Sequence, residues 1–593
     1  GKFLWDDNAF IKSNQYVKSL STLPQLFTKN FGQGVGKRYL FYRPLQMATY
    51  ALDYSIWKLD PRGYHITNII LHILASLGVY WITSLLFKDK RLSLFTAALF
   101  AIHPIHVGAV SSIAGRADPL VAVFLLAAFA LYIKNTGSWG IGRYLAIVSL
   151  YICALLSREN SLIFPLILLL YHYIFRVKPR KIELLTISTI ACMYAIIRFA
   201  LFRTALLGSF GASTFLERAP GSLAALVDYI RLLFIPTRLH MIYGKSLFSW
   251  TDPVVIAGTV IFALLIVSTI KARGRDRLYT FGVLWFLITL LPQANLYPIN
   301  AYMAEHWLYI PSIGFFLILG RALLYLYNKR GLAILAYISI FVLISFYSTI
   351  TVKQNSYWKD PVIFYKKTLE YNPQSEWMYN NLGNALYARG EKDEAIDAYK
   401  KAVELKPDFD YAYYNLATAY SSIGRDAEAV SFFKKAIDAN LYYAHAYNNL
   451  GVSYYKLQKK DTAVSAYRKA IEIKPDYADA HFNLGNALFS LGKVAESLDA
   501  FNKAIEIDRY HISAYHNMAT VYLRTKDTKK AVEIYNKILK LDPNHPLAHK
   551  NISIAYFREG RYALAAKHCE RAIELGCEMD PEFIENLKKY KEK

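Results

Sequence analysis

Cysteine is scarce in this chain, at four in 593 residues, which leaves no disulfide framework to hold a fold together. Cys153 and Cys192 lie in apolar runs where a small hydrophobe suffices, and nothing in the sequence supports a pairing of Cys569 with Cys577. The motifs of soluble catalysis are missing too: there is no Walker loop, no Gly-x-Ser-x-Gly elbow and no His-Glu-x-x-His. His65 and His72, seven apart, and His103 and His106, three apart, lack the cysteine or close carboxylate that would complete a tetrahedral metal set. They read as structural or hydrogen-bonding histidines; no cofactor is expected, and metal dependence stays open. Acidic residues are the minority, 45 Asp and Glu against 69 Lys and Arg, for a net charge of +24. Such a balance suits nucleic acid, but in the first half the basic residues sit in short loops between apolar runs. Membrane topology explains that pattern better, and no nucleic-acid partner is expected. The chain opens at Gly1 and runs straight into Trp5-Asp6-Asp7 without a signal peptide, so a lost N-terminal segment is expected.

What the first half has in abundance is apolar length. A bilayer core needs about 20 apolar residues in a helix. Candidate spans fall at about 66–86, 92–108, 119–134, 144–157, 160–175, 182–203, 253–270, 278–293, 307–327 and 331–352. The loops between them alternate in charge. One set carries Lys88/Lys90/Arg91, Lys134/Arg143, Arg176/Lys178/Arg180/Lys181, Lys271/Arg273/Arg275/Arg277 and Lys329/Arg330, which by the positive-inside rule face the cytoplasm. The other set, 1–65, 103–118, 157–160, 204–252 and 293–306, then faces outward. The alternation holds if 223–236, with Asp228, Arg231 and a terminal Pro236, is an interfacial helix rather than a span. The chain after residue 352 then emerges on the outer side, together with Trp5-Asp6-Asp7.

That outer side is dense in polar groups: Asp6, Asp7, Arg43, His65, His103, His106, Arg116, Asp118, Arg158, Glu159, Glu305 and His306 recur at successive span ends. Ionisable groups at membrane depth are costly, so their gathering on one side suggests a site, although loops are polar in any case. A carboxylate of the Asp6-Asp7 pair can take a proton from an acceptor hydroxyl; the competing reading is an acidic cap before Ala9-Phe10-Ile11. Arginine suits a lipid phosphate because its planar fork matches the phosphate oxygens.

Beyond Lys353 the pattern changes. Asn381, Asn415, Asn449, Asn483, Asn517 and Asn551 recur every 34 residues, the tetratricopeptide period. Six units run over 376–409, 410–443, 444–477, 478–511, 512–545 and 546–579. Small residues recur at Gly383, Ala417, Gly451, Gly485, Ala519 and Ser553, and Pro407, Pro475 and Pro543 close units. Residues 354–375 read as a linker and half-repeat ending in Tyr371-Asn372-Pro373, and 580–593 as a polar cap. The six asparagines share one position on the first helix of each unit, which lines the concave groove of such a stack. There an amide can donate to and accept from a bound peptide backbone; the alternative is that asparagine is merely common in this repeat.

The fold class is therefore all-α: a multipass membrane domain over 1–353, then an α-solenoid. Trp5-Asp6-Asp7 with Asn14, Tyr42-Arg43-Pro44-Leu45, Tyr64-His65 with Asn68 and His72, and Phe100-Ala101-Ile102-His103-Pro104 with Val107 carry a resemblance. So do Gly115-Arg116-Ala117-Asp118, Ser157-Arg158-Glu159 and Glu305-His306 followed by Tyr309-Ile310-Pro311-Ser312 and Gly314. In that order they resemble the transmembrane and tetratricopeptide-repeat protein O-mannosyltransferases and their bacterial relatives. The resemblance implies a GT-C glycosyltransferase fold that moves a sugar, mannose for most members, from a polyprenyl-phosphate carrier to Ser or Thr hydroxyls of a polypeptide. It implies that Asp6 or Asp7 is the base or acceptor-orienting group. Arg43, His65, His103, His106, Arg116, Asp118, Arg158, Glu159, Glu305 and His306 become donor-side candidates. Three departures stand out: a first transmembrane helix expected before Trp5 is absent, Gly108 stands where relatives often carry Glu, and His306 where they often carry Arg. The regular repeats and short loops point to a prokaryotic relative, with the repeats outside the cell membrane, or in the lumen of the endoplasmic reticulum if the source is eukaryotic. Two other classes remain open: a non-catalytic membrane scaffold that recruits partners through its repeats, and a glycan ligase or transporter.

Overall fold

The computed structural model describes residues 2–28, 42–134, 140–209, 214–240, 243, 248–294 and 301–591. Parts of the outer loops expected at 1–65, 204–252 and 293–306, and the end of the cap, lie outside the described residues. Among those described the regular structure is helical, and the chain divides into two compact units between Pro373 and Gln374.

The first unit opens with α1 (Leu23–Thr28) and α2 (Pro44–Trp57), followed by α3 (Pro61–Phe87), α4 (Lys90–Ile102), α5 (Val107–Val110), α6 (Ala117–Ile133) and α7 (Ile141–Ser157). Next come α8 (Phe164–Phe175), α9 (Lys181–Ser209), α10 (Phe215–Phe234), α11 (Pro253–Ala272) and α12 (Arg277–Leu290). It closes with α13 (Ser312–Asn328), α14 (Ala333–Tyr357) and α15 (Pro361–Tyr371). Acidic caps start several of them: Asp89 accepts the Arg91 and Leu92 N–H groups, Asp276 that of Tyr279, and Asp360 those of Val362 and Ile363. Pro61 and Pro361 occupy the first helical position, where a missing N–H costs nothing.

A helix lies at each of the ten expected spans, but length separates them. Among the described residues, five are long and apolar enough to cross a bilayer: Pro61–Phe87, Ala114–Ile133, Lys181–Ala200, Pro253–Ala272 and Ala333–Tyr357. Here α12, at 14 residues, reaches only about 21 Å at 1.5 Å per residue. The expected continuous span at 92–108 is instead broken: Lys90–Ile102 and Pro104–Val110 meet at 51°. Pro104 cannot donate to the ladder, and His103 turns aside to cap the next turn by accepting the Ile105 N–H at 3.2 Å. The chain is thus a multipass membrane protein. Its outward face is apolar, with Ile196 68%, Leu264 62% and Phe341 72% exposed, while α6 is enclosed by its neighbours. The expected interfacial segment lies within α10, whose Asp228 and Arg231 pair at 3.4 Å. The segment expected as a linker and half-repeat forms one helix, α15, which falls within the first unit.

Close helix contact in the membrane unit depends on glycine. A Cβ on Gly314 of α13 would stand 2.2 Å from the Gly282 carbonyl oxygen of α12, and one on Gly282 would stand 2.9 Å from the Gly314 oxygen. The two backbones touch as small residues allow in membrane bundles.

The second unit is a stack of helix pairs from α16 (Glu376–Arg389) and α17 (Lys392–Leu405), through α18 (Asp410–Ser422), α19 (Asp426–Ala439), α20 (Ala444–Lys456), α21 (Lys460–Ile473), α22 (Ala478–Ser490) and α23 (Val494–Ile507). It continues with α24 (Ile512–Arg524), α25 (Thr528–Leu541), α26 (Pro546–Arg558) and α27 (Tyr562–Glu574) to α28 (Pro581–Lys591). The small-residue position has a visible cause. A Cβ on Gly383, Gly451 or Gly485 would fall 2.5, 2.6 or 2.7 Å from the ring of Tyr399, Tyr467 or Phe501, so an aromatic side chain of the second helix fills the space that glycine leaves. The cap is more than polar: Leu587 of α28 is buried, and Phe583 and Ile584 pack on the last core cluster.

Replacing Gly314 by Val is expected to push α12 and α13 apart and cost about 1–3 kcal/mol, the usual toll of overpacking. Thermal unfolding of the detergent-solubilised protein checks this; an unchanged midpoint would contradict it.

Candidate functional site

Loops that alternate along the sequence meet in the first unit. Gln46 donates to the Ala114 carbonyl (2.9 Å), Tyr50 to that of Ile113 (2.8 Å) and Asn68 to those of Val110 and Ser112 (3.1 and 2.9 Å). Trp5 donates its N–H to the Tyr365 hydroxyl of α15 (3.2 Å), and Gln354 donates to the Leu239 carbonyl (3.2 Å).

At the centre lies Arg116, fully buried. Its Nε donates to Asn68 Oδ1 (2.7 Å), Nη1 to Thr49 Oγ1 (3.2 Å) and Nη2 to the Tyr64 carbonyl (3.0 Å). Nη2 also stands 2.6 Å from Asp53 Oδ2 as an ion pair, and the guanidinium lies 4.6 Å from the Tyr50 ring centroid. All three of its nitrogens are thus engaged by the protein, which makes Arg116 part of the scaffold rather than a ligand contact. Asp7 is equally enclosed: Oδ2 accepts the Leu4 N–H (2.9 Å) and Oδ1 that of Ala114 (2.7 Å). Burial pushes its carboxyl up to about 7 despite those two bonds and the Arg116 charge. Asp6 beside it is only half-buried. His65 is half-buried on the first turns of α3.

A second group of charges lies at the span ends. Arg43 grips Glu159 with two prongs, Nε–Oε2 at 3.2 Å and Nη2–Oε1 at 2.9 Å, and Arg198 reaches the same Oε1 at 3.6 Å. Arg158 pairs with Asp118. The Asp118 charge also acts on Arg43, and both Arg43 and Arg158 act on His306, which burial already pushes well below the usual histidine range. Three guanidiniums thus face two carboxylates, an excess of one positive charge when all are ionised. Arg158 Nε, Asp118 Oδ2 and the Tyr194 hydroxyl are buried without a hydrogen-bond partner. Orphaned polar atoms in a buried charged cluster mark room for a polar ligand or water. Arg198 was not singled out from the sequence; its signal is a lone arginine inside an otherwise apolar run.

Beneath lies a box of rings. His72 Nδ1 meets the Tyr309 hydroxyl at 2.6 Å and Nε2 the Ala101 carbonyl at 3.0 Å, while His103 Nε2 meets the Leu233 carbonyl at 3.1 Å. Carbonyls accept only, so both Nε2 atoms carry the proton. His106 packs on Phe100 and Tyr309 at 4.5 and 4.8 Å between centroids, both ring nitrogens unpartnered. Among the described residues no three His, Cys, Asp or Glu side chains gather as a metal site. Glu305 adjoins a cleft; its Oε1 accepts from the His240 N–H and the Tyr243 hydroxyl, both at 2.5 Å, and burial raises its carboxyl to about 8.

In the solenoid the ladder asparagines, all half-buried, reach backwards along the stack. Asn415 donates to Asn380 (2.9 Å), Asn449 to the Tyr414 hydroxyl (3.0 Å), Asn483 to Asn448 (3.0 Å), and Asn551 lies 3.4 Å from His516 Nε2. The acceptor is the residue just before the previous ladder asparagine. Where that residue is Phe482, Asn517 turns to Asn486 instead (2.7 Å). The amide donors of these five therefore tie neighbouring repeats together.

Residues 383–424 and 453–492 match the TPR repeat family, and 410–442, 476–544 and 516–580 match tetratricopeptide repeat families. The second unit is a tetratricopeptide-repeat solenoid. Over about two thirds of the chain, a Caenorhabditis elegans protein named Protein O-mannosyl-transferase F38B6.6 is similar, 27% identical over 420 residues, 67% of this chain and 58% of that protein. Protein O-mannosyl-transferase TMTC3 of Mus musculus is 26% identical over 455 residues, 65% of this chain and 47% of that protein. The chain thus spans about half the length of these relatives. Among solved structures it is similar to YrrB, a TPR protein with an unusual peptide-binding site, at 29% identity and a TM-score of 0.28, over 31% of this chain and 95% of that one.

Two outcomes follow for stability. An Asp7 carboxyl raised to about 7 favours the protonated fold, so its contribution is complete below its ordinary value of about 3.9 and fades as pH rises to about 7. Asp7→Asn is expected to flatten that part of the pH dependence of thermal unfolding; an unaltered profile would refute the assignment. Asn449→Ala removes the bond to Tyr414 and the acceptor of Asn448 (3.1 Å), about 1–3 kcal/mol for two hydrogen bonds. Faster amide exchange over 444–456 in the full chain reports this loss, and unchanged exchange speaks against the inter-repeat role.

Proposed function

We propose that the protein is a GT-C glycosyltransferase of the membrane that moves a hexose, with mannose the first choice, from a polyprenyl-phosphate carrier to Ser or Thr hydroxyls of a polypeptide. The observation that carries this reading is the buried cluster of Arg43, Arg158 and Arg198, whose excess charge and orphaned polar atoms suit an anionic oxygen group. Similarity to proteins named O-mannosyl-transferases supports the choice of reaction. Apolar faces on the neighbouring spans suit a polyprenyl tail.

Asp6 is the base in this reading. Asp7 has both oxygens committed to backbone N–H groups and serves to position it. The Asp6 carboxylate takes the proton of the acceptor hydroxyl, and the oxygen forms a bond to the anomeric carbon. The bond from that carbon to the phosphate oxygen breaks, and polyprenyl phosphate leaves with the electron pair, its charge held by the guanidiniums. Arg116, being saturated, anchors the loop instead.

The solenoid supplies the acceptor. The acidic pair lies against α15 of the membrane unit, where Tyr365 accepts the Trp5 N–H. In this account the repeats stand outside the cytoplasm, as the charge alternation of the loops supports. With the ladder amide donors engaged between repeats, their carbonyl oxygens, of which that of Asn449 already accepts from Asn448, keep a lone pair for a peptide backbone.

The test uses full-length protein in lipid, polyprenyl-phosphate [³H]mannose and a Ser/Thr-rich peptide. Label enters peptide with the wild type, and Asp6→Asn lowers the rate by roughly 100-fold or more, the usual share of a general base. Transfer at an undiminished rate by this variant would sink the mechanism.

A further inference from the structure

The basic loops meet at the end of the membrane unit opposite the arginine cluster described above. α7 carries Arg143 in its first turn and Arg158 just past its last, about 25 Å apart at 1.5 Å per residue. α8 leaves the turn that holds Glu159 and runs about 18 Å to Arg176. At that end Arg91 lies over the Tyr327 ring at 5.1 Å, Arg321 pairs with Asp276, and Arg176 reaches Gly274. Segments 88–91, 134–143, 176–183, 271–277 and 329–330 together carry fifteen Lys and Arg against three acids. All three acids serve helix starts: Asp89 caps α4, Asp276 caps α12, and Glu183 lies in the first turn of α9. Among the described residues none of them forms an ion pair with Arg176, Arg273 or Arg275.

An excess of positive charge is what topology asks of any such set of loops. The packing adds something that the charge count does not. Arg176 ends α8 in the left-handed conformation, with φ at 54°, and its Nη2 stands 3.8 Å from where a Cβ on Gly274 would be. Arg273, beside that glycine, holds its guanidinium carbon 5.0 Å from the centroid of the Tyr173 ring, one turn back from Arg176 on α8. The end of α8 and the loop from α11 to α12 therefore bring Arg176 and Arg273 to one place, with Arg275 two residues on, and all three are exposed. Next to them the surface turns apolar. Leu166, Leu169 and Tyr173 are exposed along one face of α8, and Val267 and Ile270 along one face of α11. Unpaired cations at the end of exposed apolar helix faces match a molecule with an anionic head and hydrocarbon tails. A soluble anion would leave the apolar faces uncovered, and a zwitterionic lipid would bring a cation of its own against the arginines.

We propose that Arg176 and Arg273, with Arg275 beside them, bind the phosphate of an anionic phospholipid whose acyl chains lie along α8 and α11. This site is separate from the cluster of Arg43, Arg158 and Arg198 and stands whether or not that cluster holds a sugar donor. Bound there, the lipid braces α8 against the loop between α11 and α12.

Native mass spectrometry of the delipidated full-length protein in detergent tests the site, with phosphatidylglycerol and phosphatidylcholine as probes. The variants are Arg176→Gln/Arg273→Gln and, as a control with the same loss of charge, Lys329→Gln/Arg330→Gln. Wild type is expected to bind phosphatidylglycerol roughly tenfold or more tighter than phosphatidylcholine, the combined worth of two arginines at an anionic headgroup. The arginine variant is expected to lose that preference and the control to keep it. Equal affinity of wild type for the two lipids overturns the proposal. So does an equal loss in the control, which would leave only diffuse charge, and so does displacement of the lipid by millimolar inorganic phosphate, which would make this a site for a free anion. The four replaced side chains are exposed, so both variants are expected to unfold at the wild-type midpoint when no lipid is added. A lower midpoint in the arginine variant would make the pair part of the packing and likewise overturns the lipid site.

Discussion

A guanidinium shut away from water must find partners within the protein or unfold it, and Arg116 has found them on every side. Thr49 and Asp53 come from α2, Tyr64 and Asn68 from α3, and Arg116 itself from the turn before α6. Desolvating such a charge costs several kcal/mol, so the three segments hold one arrangement or lose all of these bonds at once. Asp7 then fixes the start of the chain to Ala114, two residues from Arg116. The consequence is positional. With Arg116 and Asp7 holding the loop, Asp6 is left half-buried and Arg43 is presented to Glu159.

The solenoid meets a different demand with a repeating device. Each unit needs its two helices close and its neighbour in register. The first need is met by a small residue under a ring, as with Gly383 under Tyr399. The second is met by the ladder asparagine reaching one unit back, as from Asn483 to Asn448. Each contact joins a helix only to its partner or to the adjoining unit, which is why repeats of this kind stack one by one.

The same locality explains what the sequence reveals. A 34-residue recurrence of asparagine and small residues has one sensible structural meaning, and the helices lie where that period puts them. The apolar runs likewise mark helices, because burial in lipid leaves backbone groups no alternative. Other features are hidden for physical reasons. Arg116 and Arg158 look alike in sequence, each at a span end beside an acid, and only the count of partners separates the saturated one from the one with an orphaned Nε. Arg198 hides inside an apolar run, so its neighbours mask its role. Residues 361–371 end like a repeat helix at Tyr371-Asn372-Pro373, and the division of the chain into units, which falls just after Pro373, is not marked in the sequence. The ladder asparagines were legible as a line but not as inter-repeat donors, since their acceptors lie 31 to 35 residues away.

The central claim is that Arg43, Arg158 and Arg198 hold a lipid phosphate. The most direct test is a cryo-EM structure of the full chain with a non-hydrolysable polyprenyl phosphonate. The account predicts phosphonate density within hydrogen-bonding distance of Arg158 Nε and the Arg43 or Arg198 guanidinium, with the prenyl chain leaving along apolar spans. Density for the phosphonate elsewhere, with the Arg43–Glu159 and Arg158–Asp118 pairs undisturbed, would contradict it.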